Sequence, residues 1–211
     1  MVKAFFTVLA LVLFATGAFG ASLVLQPGSE GKDAMLASNS PGSNYGSSLF
    51  LTENYGSTVE TRGILEFDIT PVMGATINSA TLSLWCVLPN STNYNFGIYR
   101  NTASWVENTV TWNNAPAFFA TAYDTQLVSG AAGSQITFNV KNLVAEWAAG
   151  TYSNYGMLFK RVDMNNPSAW PYPASSDNTT ANYRPRLTVD YTPSTGIAPA
   201  SLGRVKAAFK D

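Results

Sequence analysis

The stretch SAWPYPASSDNTTANYRP, residues 168 to 185, carries Trp170, Tyr172 and Tyr183 among prolines, amides and short polar residues, with Arg184 near its end. Aromatic faces of this kind stack on the apolar C–H side of a sugar ring, while amides, carboxylates and arginine take its hydroxyls. Proline on both sides of Tyr172 stiffens the backbone there, which lowers the entropy lost on binding. The same residues also suit an edge strand whose aromatics cover a core, and the sequence leaves both readings open. Lys32, Arg62, Lys160, Arg161, Arg184 and Arg186 supply cations, and the arginine fork matches a carboxylate through two parallel hydrogen bonds. Lys160 and Arg161 are neighbours on a predicted strand, so they face opposite sides and at most one joins a given patch. Arg62 and Arg184 also have a structural reading, each pairing with a buried carboxylate such as Asp33.

Two further tryptophans stand in SWVENTVTWNNAP, residues 104 to 116. Read as strand then turn, residues 109–113 put Val110 and Trp112 on one face and Thr109, Thr111 and Asn113 on the other. That makes Trp112 a core residue, and Asn113 the residue that ties down the following loop. Tyr45, Tyr55 and Tyr155 each sit in the tripeptide NYG, a turn device rather than a ligand contact.

The chain contains no histidine and one cysteine. Triads and zinc sites that need imidazole are excluded, and so is an intrachain disulfide. Cys86 lies in the apolar run TLSLWCVL and reads as a buried, inert thiol. The 13 acidic residues always permit a pair at the spacing of a glycosidase, so they discriminate little. No catalytic residue is assigned and no enzymatic activity is expected. With a formal charge of −1 and only 12% charged residues, nothing suggests nucleic acid as a partner. A weakly charged surface rich in Ser, Thr and Asn suits an extracellular β protein.

These residues need elements to position them. Short apolar stretches recur at the spacing of an all-β domain: ASLVLQ, KDAML, SSLFLTE, RGILEFDI, SATLSLWCVL, YNFGIYR, TVTWN, YDTQLV, SQITFNV, YGMLFKRV and PRLTVDY. Helical spacing breaks the pattern once, in VKNLVAEWAAG, residues 140 to 150, which predicts a short helix crossing one end of a sandwich with Glu146 solvated on its side. Residues 1–20 read as a secretory leader, with one lysine, an apolar run too short to span a membrane, and AFG before the expected cleavage. The domain then runs over 21–192, a Pro/Ser/Thr/Gly linker over 193–201, and a small basic amphipathic tail helix over 202–211.

Seven pieces, in order, resemble the DNRLRE domain, also called carbohydrate-binding module family 96. They are LQPGSEGKDAMLAS, SPGSNYGSS, TRGILEFDI, GATINSATLSL, TVTWNNAP, NLVAEWAAGTYSNYGMLFK and YRPRLTVDYT. The resemblance implies a jelly-roll-type β-sandwich, secretion to the cell exterior or surface, and non-catalytic attachment to polysaccharide; a cell-wall or matrix polysaccharide is the expected ligand, and the cations above suit an anionic one. The carbohydrate-binding residues expected from the aromatic stretch and the cations described above are Trp170, Tyr172, Tyr183, Lys32, Arg62 and Arg184. Sandwich modules that hold sugars also carry structural calcium on carboxylates and backbone carbonyls, and Asp33 and Asp177, in turn-rich contexts, are the candidate ligands, with Asp163 also considered. No other cofactor is expected. The alternative is a structural subunit of a surface layer, sheath or matrix that self-associates, with the tail as its assembly tag.

Overall fold

The computed structural model describes residues 20–53, 59–88, 94–128, 132–162 and 171–194. Residues 1–19 of the leader, 195–201 of the linker, the tail, Tyr55, Asp163 and Trp170 lie outside the described residues.

Among the described residues ten strands and one α-helix follow each other: β1 (Ala21–Leu25), β2 (Lys32–Ala37), β3 (Thr61–Glu66), β4 (Thr76–Leu88), β5 (Tyr94–Arg100), β6 (Asp124–Val128), β7 (Gln135–Asn139), α1 (Lys141–Ala148), β8 (Met157–Arg161), β9 (Tyr172–Pro173) and β10 (Arg186–Thr192). One antiparallel sheet has the order β1-β10-β4-β7, with β9 on the end of β4, and the other has the order β2-β3-β8-β5-β6. The architecture is the expected all-β sandwich. First and last strands pair, Ala21 opposite Tyr191, so both ends of the domain are tied into the same sheet.

Alternation explains how each strand packs. In β4 the even-numbered Ala80, Leu82, Leu84 and Cys86 are buried between the sheets, and they meet Phe96 and Ile98 of β5, Phe138 of β7, Phe159 of β8 and Leu187 and Val189 of β10. Phe159 links the layers, stacked on Phe96 at 4.6 Å and edge-on to Phe138 at 5.9 Å. The predicted helix is present as α1, burying Leu143, Val144, Trp147 and Ala148 in the same core. It closes one end of the sandwich, where the Gly74 N–H donates to the Ala148 carbonyl at 2.8 Å, and Gly150, with φ +71°, turns the chain out of it.

Two predicted strands are absent. SSLFLTE makes only an isolated bridge, Phe50 with Ala174. TVTWN lies in turn and loop. Its backbone donors are engaged locally or by a distant loop: the Val110 N–H donates to the Val106 carbonyl at 2.8 Å, and the Asn113 N–H to the Pro41 carbonyl at 3.0 Å. The side chain that fixes this loop is Asn114 rather than Asn113. Its Oδ1 accepts from the Thr111 N–H at 2.6 Å and its Nδ2 donates to the Thr109 carbonyl at 3.0 Å.

Candidate functional site

The outer face of the second sheet is not left to solvent. By alternation it carries Lys32, Ala34 and Leu36 on β2, Arg62, Ile64 and Glu66 on β3, Leu158 and Lys160 on β8, and Tyr99 on β5. Ala34, Leu36, Ile64, Tyr99 and Leu158 are buried there with Trp105 and Val110, and Trp112, Ala115, Phe118 and Ala122 pack on them half-buried. The segment 101–122 is therefore a roof over this face, and Trp112 belongs to the roof instead of the inter-sheet core. Trp105 is its anchor: the ring is 7% exposed and the indole N–H donates to the Tyr155 carbonyl at 3.0 Å.

Two copies of the NYG tripeptide hold the roof down. Asn44 and Asn154 each accept from the glycine N–H two residues on, at 3.3 and 3.0 Å. Each also tethers a distant segment, Asn44 through the Glu107 and Val110 carbonyls at 2.6 and 2.7 Å, and Asn154 through the Phe67 carbonyl at 2.8 Å. The turn reading of these tripeptides therefore holds at 44–46 and at 154–156.

Three cations lie over the aromatic rings of this face. Lys32 Nζ is 4.6 Å from the Trp105 ring centre, and the Arg62 guanidinium is 4.4 Å from that of Trp112 and 5.6 Å from Phe118. Lys160 Nζ is 5.2 Å from Tyr99 and 5.7 Å from Phe118. Neither predicted partner of Arg62 and Arg184 is observed: Arg62 pairs with Glu60 at 2.7 Å, and Arg184 donates to the Asn178 carbonyl at 2.9 Å, so Asp33 serves neither. Lys32 pairs with Glu66 at 2.6 Å. Lys160 has no carboxylate within 4 Å among the described residues, and burial, with Arg62 nearby, lowers its pKa against the opposing pull of Glu60. Arg161, as the spacing predicts, faces the other way and is buried, with its guanidinium 3.9 Å from the Tyr94 ring centre. A cleft of about 750 Å³ opens beside Lys32 and Glu66, with Gln26, Glu30 and Asp68 on its walls.

The other predicted sugar contacts are elsewhere. Tyr172 lies on the edge strand β9, paired with the end of β4 and edge-on to Phe50 at 5.6 Å. Tyr183 is in a 3₁₀ turn, Ala181–Tyr183. That turn is tied to the start of the domain by Gln26, whose Nδ-equivalent amide, Nε2, donates to the Ala181 and Arg184 carbonyls at 3.2 and 3.0 Å. Of the six predicted residues, Lys32 and Arg62 share one face; no hydrogen bond, ion pair or ring contact among the described residues joins Tyr172 or Tyr183 to them. Tyr99, Phe118 and Lys160 of this face were not singled out as a group by sequence, although Lys160 was among the available cations.

A second constellation lies where β2 begins. Asp33, Glu107 and Asp177, from three distant segments, each place a carboxylate oxygen within 4.8 Å of the others. Asp33 is 3% exposed; its Oδ2 accepts from the Ser176 N–H at 2.7 Å, and its Oδ1 has no hydrogen-bond partner. Glu107 Oε1 accepts from the Asp33 N–H at 3.1 Å. Burial pushes the Asp33 carboxyl up to about 7, resisted by the Ser176 hydrogen bonds and reinforced by the charges of Asp177 and Glu107. Burial also raises Glu107 and Asp177. The donor set is all oxygen with one buried oxygen unmatched, which fits a hard cation such as calcium; Asp33, Glu107 and Asp177 are the residues that would hold it. The sequence pointed to Asp33 and Asp177 but passed over Glu107, which stands two residues after Trp105.

Glu146 is not simply solvated. It is half-buried and accepts a short hydrogen bond from the Tyr123 hydroxyl. Arg100 lies beside this pair, with its guanidinium 3.7 Å from the Tyr152 ring centre. This tyrosine, carboxylate and arginine close the helix end of the sandwich.

The family model described as carbohydrate-binding module family 96 matches residues 27–191. No curated protein matches the chain.

Proposed function

The chain belongs to carbohydrate-binding module family 96, and from that premise we propose that it attaches without chemistry to an extracellular polysaccharide bearing carboxylate or sulfate groups. The family match, which spans both sheets and the roof, carries this reading. The face that supports it best is the roofed one. Lys32, Arg62 and Lys160 hold their charged heads over the rings of Trp105, Trp112, Tyr99 and Phe118, and the ring faces keep those heads in place. Anionic groups on the glycan would meet preordered cations, with little side-chain entropy left to lose. Lys160 is the leading contact: its Nζ donates to the Arg161 carbonyl at 3.2 Å but has no carboxylate within 4 Å among the described residues, whereas Lys32 and Arg62 are ion-paired with Glu66 and Glu60. This reading takes the leader expected over residues 1–20 to export the module; among the described residues no helix is long and apolar enough to cross a membrane.

Affinity electrophoresis tests the reading. The purified protein should be retarded in gels containing alginate, pectin or chondroitin, and less so by neutral cellulose-type glycans. Unhindered migration through all of them sinks the binding reading and favours a self-associating subunit, which sizing of the same sample would detect.

A further inference from the structure

We propose that Asp33, Glu107 and Asp177 form a calcium site that pins the Trp105 segment and the 174–178 segment to the start of β2. The proposal does not rest on the glycan reading. Burying a carboxylate without a compensating partner is costly, yet Asp33 is 3% exposed and one of its oxygens is unmatched. Two further carboxylates converge on it instead of a counter-charge. Lys32 and Arg184 act on Glu107 and Asp177 only at a distance, since Lys32 is paired with Glu66 and Arg184 donates to the Asn178 carbonyl.

The geometry suits calcium in particular. Oxygens bound to one calcium stand about 2.3–2.6 Å from it, so they reach at most about 5 Å from each other, against about 4.2 Å around magnesium. The three carboxylate oxygens, up to 4.8 Å from one another, are within the span of the calcium sphere and beyond that of magnesium. Asp33 is buried and Glu107 and Asp177 are half-buried, which leaves a side open for waters to complete the shell.

The surrounding backbone is packed to bring the three segments together. A Cβ at Gly31 would stand 2.8 Å from Ser176 Cβ, and one at Gly46 would stand 2.7 Å from the Glu107 carbonyl oxygen. Any larger residue at either place would push the Ser176 or Glu107 segment away from Asp33. The site therefore sits under the anchor of the roof, and an ion there would fix the segment that carries Trp105.

The test uses the purified protein stripped with a chelator and then given calcium, magnesium or terbium(III). Terbium luminescence excited through tryptophan should appear, since Trp105 is two residues from Glu107, and calcium should displace it. A hundredfold excess of calcium over its Kd should raise the Tm by about 5–10 °C, with magnesium giving a smaller shift. Asp33→Asn keeps an acceptor for the Ser176 N–H, and it should lose both signals, as should Glu107→Gln. If Asp33→Asn does not fold, the half-buried Glu107 and Asp177→Asn variants carry the test. The proposal is overturned if the wild type shows neither signal, or if Glu107→Gln and Asp177→Asn respond as the wild type does.

Discussion

The two outer faces of this sandwich are built alike and finished differently. Across the first sheet, Val24, Thr188, Thr81 and Asn139 stand in one row, and Arg186, Ser83 and Thr137 in the next. Short hydroxyl and amide side chains dominate it, and one tryptophan, Trp85, lies under Arg186 at 4.9 Å. Across the second sheet the equivalent positions include Ala34, Leu36, Ile64 and Leu158, which water would solvate poorly. Those residues require a cover, and the 101–122 segment supplies one made of aromatics with cations on top. A sheet face that is apolar on both sides thus marks where a fold has invested a loop, and loops held on a rigid scaffold are where binding residues concentrate.

The comparison can be broken most decisively at Trp105. If the roof is integral to the fold, Trp105→Ala should cost ~3–5 kcal/mol in denaturant unfolding, through the cavity and the lost bond to Tyr155. A loss below about 0.5 kcal/mol, the range of ordinary surface changes, would mean that the roof is an appendage. Trp112→Ala removes a half-buried ring and should cost less, about 2 kcal/mol in the same assay. A cost equal to that of Trp105 would return Trp112 to the core.

Function sharpens the contrast further. Lys160→Ala should weaken retention by an anionic glycan about tenfold, or ~1.4 kcal/mol, with the Tm nearly unchanged. Gln135→Ala and Thr137→Ala on the bare face should leave retention as it is. The opposite result in affinity electrophoresis would move the binding face to the first sheet. The smallest effect is expected at Cys86, which is fully buried between the sheets and whose thiol burial pushes up to about 11. Thiol reagents at pH 8 should leave it unmodified in the folded protein and react only on unfolding; fast labelling of the native state would show that the layers open.

Much of the scaffold could be read in advance because its causes are local. Alternation in RGILEFDI and SATLSLWCVL became β3 and β4, the 3.6-residue spacing of VKNLVAEWAAG became α1, and adjacency alone put Lys160 and Arg161 on opposite faces. The same local logic failed at TVTWN. Its alternation is that of a strand, but its backbone partners are a nearby turn and Pro41, so no sheet edge was available to it. It failed again at Glu146, whose neighbour Tyr123 is 23 residues away in sequence. Of the residues expected to hold sugar, Tyr172 and Tyr183 fell on an edge strand and a tight turn, as the edge-strand reading of that stretch allowed.

The sequence by itself determined the two-layer β architecture, the helix at one end of the sandwich, the burial of Cys86 and the exclusion of imidazole chemistry, since periodicity and composition act over a few residues or over the whole chain. Only the tertiary structure decided that Lys32, Arg62 and Lys160 share one roofed face, and that residues 33, 107 and 177 meet at one buried carboxylate. Those meetings depend on which strands pair and which loops cross them, and separations of 74 and 144 residues leave no trace in local spacing.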